Sequence, residues 1–311
     1  MVLITGGLGY LGSRIAKYLI EQGYSVRIAT SRTHATVPLE LSDSQLVNID
    51  LQNSGTLDAA CNGVSTIIHL AAMNAQSSKD KPEQAIMVNS LGTLNLLKSA
   101  KKCNIDRFIY FSTAHVYGNP LVGLITEKTL PHPSHPYSIT HRTAEDYVYE
   151  YSMSGDFYAV IFRLSNAIGY PLSKDIDCWS LVSNDLVKQL ILKNKMTLHS
   201  SAWVERDFIA ISDICRAVNF MLKFDQIKRC ETYNLGSGNV LSLKALSGVI
   251  SKKAEKLITR KPTLDFKDTT SQKDLKNLNY SIEKLKATGF CIDNDIEKEI
   301  EQLIIICNKW F

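Results

Sequence analysis

Three glycines set the first chemical possibility of this chain. Residues 1–12 read M-V-L-I-T-G-G-L-G-Y-L-G, with Gly6, Gly9 and Gly12 at three-residue intervals. Residues 2–4 are a short strand-forming run, and the glycines then turn the chain. From Tyr10 a helix is expected, with Ile15, Leu19 and Ile20 facing inward and Gly23 closing it. A buried strand feeding a glycine turn and a helix amino terminus suits a diphosphate. Glycine lets the backbone approach, and the helix's free N–H groups and dipole favour negative charge. The spacing is G-x-x-G-x-x-G, not the G-x-G-x-x-G of the standard dinucleotide fingerprint. The second strand ends in Thr30-Ser31-Arg32, without a carboxylate. In a dinucleotide fold an acid there takes the adenosine ribose hydroxyls of NAD, while a guanidinium accommodates the extra phosphate of NADP. Arg32 therefore favours NADP(H), with NAD possible. Asp50, ending the next strand, is suited to accept from the adenine amine.

These residues need a sheet to hold them. Apolar runs at 2–4, 25–29, 46–49, 66–70, 108–111 and 159–162 alternate with amphipathic stretches, clearest at 82–101 and 141–153. Continuous apolar strands alternating with helices predict an α/β fold: a Rossmann-like, doubly wound parallel sheet covered on both faces, with ligands at the strands' carboxyl ends. After Asn166 the rhythm changes. Helices are expected at 181–192 and 212–223, and the remainder reads as Lys/Glu-rich helices and loops without a comparable strand pattern. We expect a dinucleotide-binding domain over 1–165, to which 205–235 returns. A smaller, intercalated carboxyl-terminal substrate lobe is expected from 166–204 and 236–311.

Composition narrows the class. The 311 residues are 45% apolar and 21% charged, ordinary for a globular core. A net charge of +4, unclustered, argues against nucleic acid. Seven cysteines without close pairing or ligand spacing read as reduced thiols. With a strand starting at residue 2 and no apolar run of membrane length, the expectation is a soluble cytoplasmic protein without a membrane partner. His115, His132, His135 and His141 lie in a region broken by Pro131, Pro133 and Pro136, with no acid at ligand spacing, so no metal site is expected. Trp179, Trp203 and Trp310 read as packing residues, and the apolar tail 303–306 with Trp310-Phe311 as a docked helix or a subunit contact.

Several stretches together resemble the extended short-chain dehydrogenase/reductases, the group of nucleotide-sugar epimerases, 4,6-dehydratases and 4-keto reductases. They are the glycine turn, His69-Leu-Ala-Ala72, Asn89-Ser-Leu-Gly-Thr-Leu-Asn95, Phe111-Ser-Thr-Ala-His-Val-Tyr-Gly118, Pro136-Tyr137, Arg163-Leu-Ser-Asn166 with Gly169, and Arg206-Asp-Phe208 with Asp213. Their order and spacing cover about residues 1–240.

The resemblance implies hydride transfer at a sugar hydroxyl or keto group of a nucleotide-diphosphate sugar. It assigns Tyr137 to proton transfer, Thr113 to holding the oxygen, and Ser112, Asn166 and Arg206 to the substrate. Leu11, Leu51, Leu70, Ala71, Ala72, Asn89, Tyr137 and His141 join Gly6, Gly9, Gly12, Thr30, Ser31, Arg32 and Asp50 around the cofactor. A family lysine, four residues after the tyrosine, is replaced by His141. With an ordinary pKa near ~6.5, an imidazole is mostly neutral at pH 7, so Tyr137 is less acidified. His115 stands where some keto-sugar epimerases carry a cysteine acid/base and can move a proton alpha to a ketone; the alternative is a histidine that hydrogen-bonds the sugar or packs under the loop. Lys174 or Asp175 is a candidate partner acid. Ala114-His115 replaces the dehydratases' Asp-Glu pair, which argues against loss of water.

The resemblance thus implies an NADP(H)-dependent reduction of a 4-keto nucleotide sugar, in polysaccharide biosynthesis. A 4-epimerase with tightly held NAD(P) is the alternative, and a catalytically weakened dinucleotide-binding protein a second. A homodimer through 82–101 and 141–153 would be usual for the family.

Overall fold

The computed structural model describes residues 1–266 and 277–311. Residues 267–276, part of the expected substrate lobe, lie outside the described residues. The first strands are β1 (Val2–Thr5), β2 (Val26–Thr30), β3 (Gln45–Asn48), β4 (Thr66–His69) and β5 (Arg107–Thr113). They are followed by β6 (Gly123–Ile125), β7 (Tyr158–Leu164), β8 (Asn166–Ile168), β9 (Lys195–Leu198) and β10 (Glu205–Ala210). The last are β11 (Cys230–Leu235), β12 (Val240–Ser242), β13 (Thr263–Phe266) and β14 (Leu278–Tyr280).

The chain divides into two compact units. The first comprises Met1–Pro120, Glu127–Leu164 and Ala217–Asn234 and contains a seven-stranded sheet of order β11-β7-β5-β4-β1-β2-β3. The ladders joining β1 to β2 and β4, β2 to β3, β4 to β5 and β5 to β7 are parallel. The order reverses at β1, the topological switch point beside which ligands of such sheets bind. Apolar runs mark the inner strands because β1, β4 and β5 are buried on both faces, whereas the edge strand β3 is mostly exposed. Leu3, Ile67, Phe108 and Ile161 join Leu96, Ala144 and Val148 from the covering helices in one core.

Helix boundaries differ where sequence periodicity is blind. The helix expected at 141–153 starts earlier and spans Pro136–Met153. Proline fits a first helical position, since its missing N–H is unneeded there. The Ser138 hydroxyl accepts from the His135 N–H and donates to the His135 carbonyl. The stretch expected as one helix over 82–101 is a helical turn Pro82–Ala85, a wide π-turn segment Ile86–Leu91 and a helix Gly92–Lys102. Such π segments recur at functional sites, and this one carries Asn89.

The second unit comprises Leu121–Thr126, Ser165–Arg216 and Leu235–Phe311. Residues 205–216, expected with the first domain, cluster here because β10 pairs with β8 and β12. Residues 121–126 cluster here because β6 pairs with β14. The region after 236 is not free of strands: β12, β13 and β14 are short and find partners far away in sequence, too brief to give a period of two. The core of this unit joins Leu186 and Leu190 with Leu246, Ile250, Ile300 and Leu303. Trp179 meets the rings of Trp310 and Phe311 edge-on, as expected of a packing residue.

Candidate active site

Within the first unit, the predicted cofactor residues gather at the carboxyl ends of the strands. Gly6 follows β1 with φ +66°, and a Cβ there would lie 3.0 Å from the Ala71 nitrogen in the loop after β4. A Cβ on Gly12 would overlap the Gly6 carbonyl oxygen, and one on Gly9 would come within 3.1 Å of it. The turn is therefore glycine because backbone packs on backbone. The helix Tyr10–Glu21 starts at extended Gly9 with no side-chain cap and no acid in its first turn, which suits an external anion. Arg32 ends β2 exposed, and its guanidinium has no hydrogen-bond or ion-pair partner among the described residues. Asp50 Oδ1 accepts from the Gln52 N–H, and the Leu51 carbonyl accepts from Asn95.

The loop after β4 is fixed by a buried proton chain. The Thr93 hydroxyl donates to the Asn89 carbonyl (2.6 Å) and so accepts from His69 Nε2–H (2.9 Å). His69 Nδ1 then accepts from the Thr5 hydroxyl (2.6 Å), whose oxygen accepts from the N–H groups of Leu70 and Ala71. Burial, with His141 nearby, pushes the His69 imidazole down to about 3, so it stays neutral. Asn89 Oδ1 accepts from the Met73 N–H (2.7 Å), and Asn89 Nδ2 donates to Thr140 Oγ1 (3.0 Å). Asn89 thus ties the loop after β4 to the helix turn that carries Tyr137.

Tyr137 and His141 lie one turn apart on that helix, their rings edge-on with centroids 4.4 Å apart. The Tyr137 hydroxyl has no hydrogen-bond partner among the described residues, and burial pushes the phenol up to about 12. His141 is 3% exposed, and burial pushes its imidazole down to about 3. Its Nδ1 is paired at 2.7 Å with the hydroxyl of Tyr110, while its Nε2 has no partner. Thr113 ends β5 and accepts from the His115 N–H, and the buried Ser112 Oγ beside it has no partner. The His115 ring lies 5.8 Å from that of His135, which stacks toward Tyr137 at 6.1 Å. The set offers a phenol for proton transfer, hydroxyls for an oxygen and a neutral imidazole.

In the second unit, Asn166 Nδ2 donates to the Asp207 carbonyl across the β8–β10 ladder. Asp207, pushed up by burial, accepts from Ser165 Oγ and from the N–H groups of Ser237 and Gly238. Arg206 is half-buried without a hydrogen bond or ion pair among the described residues, and burial lowers its pKa. Lys174 donates to the Trp310 carbonyl and lies over the Phe311 ring, so the ammonium is occupied by packing.

A family model described as the NAD dependent epimerase/dehydratase family matches residues 2–236. The chain belongs to that family. It is 25% identical to a putative UDP-glucose 4-epimerase of Methanocaldococcus jannaschii over 98% of this chain and 97% of that one. Its fold is similar to that of the Thermotoga maritima UDP-glucose 4-epimerase with UDP-glucose (TM-score 0.85, 20% identity, 99% of both chains). It is likewise similar to MoeE5 in complex with UDP-glucuronic acid and NAD (TM-score 0.82, 20% identity, 100% of this chain and 99% of that one).

The residues present fit the dinucleotide of an NAD-dependent epimerase/dehydratase. The uncapped helix start offers N–H groups to phosphates, and the orphaned His141 Nε2 is a buried polar atom that needs a partner. Sequence reasoning gave no role to Tyr110, Thr5, Thr140 or the pair Glu145–Arg163, whose guanidinium meets both carboxylate oxygens. Tyr110 and Thr5 had one weak signal, a hydroxyl inside a strand that is otherwise apolar. The partners came from residues far away in sequence and carried none.

Proposed function

We propose that this chain is a nucleotide-sugar 4-epimerase using NAD(P). The reading is carried by the Tyr137 phenol, uncommitted beside buried, neutral His141, in a unit whose switch point holds the glycine turn. The full-length match to a relative named a 4-epimerase supports epimerisation ahead of reduction. When bound, the dinucleotide supplies a hydride acceptor and donor for C4 of the sugar. Tyr137 takes the proton of the C4 hydroxyl and returns it, Thr113 and Ser112 hold the oxygen, and Arg206 with Asn166 takes the diphosphate. A half-buried guanidinium without a counter-ion favours that assignment. Gly6, Gly9, Leu11, Gly12, Thr30, Ser31, Asp50, Leu51 and Leu70 to Ala72 surround the cofactor, with Asn89 as a brace. Ala114-His115, in place of an acidic pair, argues against dehydration.

The free Arg32 guanidinium favours NADP and a second reading, reduction of a 4-keto sugar. The as-purified cofactor separates the two. Tightly held NAD(H), with interconversion of UDP-glucose and UDP-galactose or a related C4 pair, supports epimerisation. An empty site that takes NADPH and consumes it against a 4-keto nucleotide sugar would replace that reading. Dinucleotide binding without turnover of either class of substrate would leave a sensing role.

We also infer a homodimer. Ile86 and Ile139 are 55% and 47% exposed on segments that pack together, an apolar face suited to a second copy. Ile139→Asp is expected to elute as a monomer in light-scattering chromatography, and a monomeric wild type would end the idea.

A further inference from the structure

The pairing of Tyr110 with His141 decides what His141 can do. Tyr110 sits in the middle of β5, 2% exposed, and its hydroxyl has one hydrogen-bond partner among the described residues, His141 Nδ1 at 2.7 Å. The nearest other imidazole, His69, has both ring nitrogens spent on Thr5 and Thr93. A buried phenol needs an acceptor for its O–H. Nδ1 is the acceptor available, so it carries no proton and the imidazole proton sits on Nε2. That nitrogen is the one without a partner. Its N–H is a buried donor with its direction set by β5 on one side and the helix Pro136–Met153 on the other.

We propose that Tyr110 is a positioning residue: its phenol holds His141 in the Nε2–H tautomer, so that the imidazole would meet a bound dinucleotide as a fixed, uncharged hydrogen-bond donor. The dinucleotide contact rests on the function proposed above; the tautomer does not. A lysine at this position would bring a positive charge, whereas this ring brings direction without charge. His141 in this state cannot act as a base toward the cofactor, because its acceptor nitrogen is turned into the sheet. Residue 141 then supplies no charge to ease ionisation of Tyr137, and a bound oxidised dinucleotide would be the source of it. The titratable groups around the ring agree with a neutral state. Tyr110 faces it from β5, Tyr137 from its own helix and His69 from β4, and the Glu145 carboxylate, which acts on Tyr110, is held by Arg163.

The test is nitrogen NMR of the full chain labelled with 15N-histidine, free and titrated with NAD⁺. The expected wild-type spectrum at pH 7 shows His141 protonated on Nε2 alone, with that N–H resonance moving on addition of NAD⁺. Tyr110→Phe, which removes one oxygen and keeps the ring, is expected to move part of the proton to Nδ1 and weaken NAD⁺ by about fivefold, the worth of one oriented hydrogen bond. In a His141→Lys background, the same substitution is expected to change NAD⁺ affinity less than about twofold, since no tautomer remains to be set. A wild-type ring protonated on Nδ1, or a tautomer unchanged by Tyr110→Phe, overturns the lock. An Nε2–H resonance unmoved by bound NAD⁺ overturns the dinucleotide contact. A wild type that is Nε2–H yet binds no dinucleotide supports the lock and overturns the proposed function.

Discussion

Tyr137 and His141, the residues of the proposed proton transfer, lie in an unusual electrostatic setting. The phenol is pushed up to about 12 by burial, and the ring beside it is neutral. A base that must lose its proton at high pH works better as pH rises, so the oxidation limb of the wild-type rate is expected to climb above pH 8. Replacing His141 by lysine places an ammonium beside the phenol and is expected to draw that limb down by roughly one to three pH units. Rate profiles of wild type and His141→Lys check this, and coincident limbs would exclude charge at residue 141 as a determinant. Both positions were legible in the sequence, from the Pro136-Tyr137 motif and the four-residue spacing. Tyr110 was not, because nothing in the linear pattern says which strand residue lies against a helix residue 31 positions later.

At the scale of elements, the glycine turn and the strand ladder are where sequence and structure agree best. Short apolar strands and a glycine-rich turn are local features, and the runs expected for β1 to β5 agree with the strands to within a residue or two. The finer reason for the glycines needed three dimensions. Gly12 is small because a Cβ would overlap the Gly6 carbonyl oxygen. Gly12→Ala is therefore expected to cost about 1–3 kcal/mol through overpacking and to abolish NAD⁺ binding. Gly248, inside the helix Leu243–Ile258, is the opposite case: a Cβ added there would meet nothing within 4 Å. Gly248→Ala is expected to stabilise by about 0.5–1 kcal/mol. Urea denaturation separates the two, and a Gly12→Ala protein as stable as wild type would remove the close-packing account. The π-turn segment Ile86–Leu91 escaped detection because its composition fits an α-helix equally well.

For the whole molecule, the buried imidazoles link folding to pH. His69 and His141 are held at about 3 by burial, against about 6.5 for an exposed histidine. Between those values the unfolded chain binds more protons than the folded one, so stability rises with pH through that window. It is full above about pH 6.5 and is lost on acidification, by up to about 1.4 kcal/mol per histidine for each pH unit. Between pH 6 and pH 5, where most carboxylates stay ionised, we expect a fall of about 2 kcal/mol in unfolding free energy. Chemical denaturation at the two pH values measures it, and a flat result would mean that these rings are protonated in the folded state. No helix among the described residues is long and apolar enough to cross a membrane.

By itself the amino-acid order determined the strand–helix alternation, the glycine turn and the positions of Tyr137, His141 and Thr113. Each of these is local: a period, a spacing, a residue type beside a strand end. The tertiary structure decided which unit residues 121–126 and 205–216 join, since β6 and β10 take partners far along the chain. It also decided the state of His141. Charge and tautomer are set by what surrounds a ring, and the strand that supplies Tyr110 reaches it only after the sheet has formed.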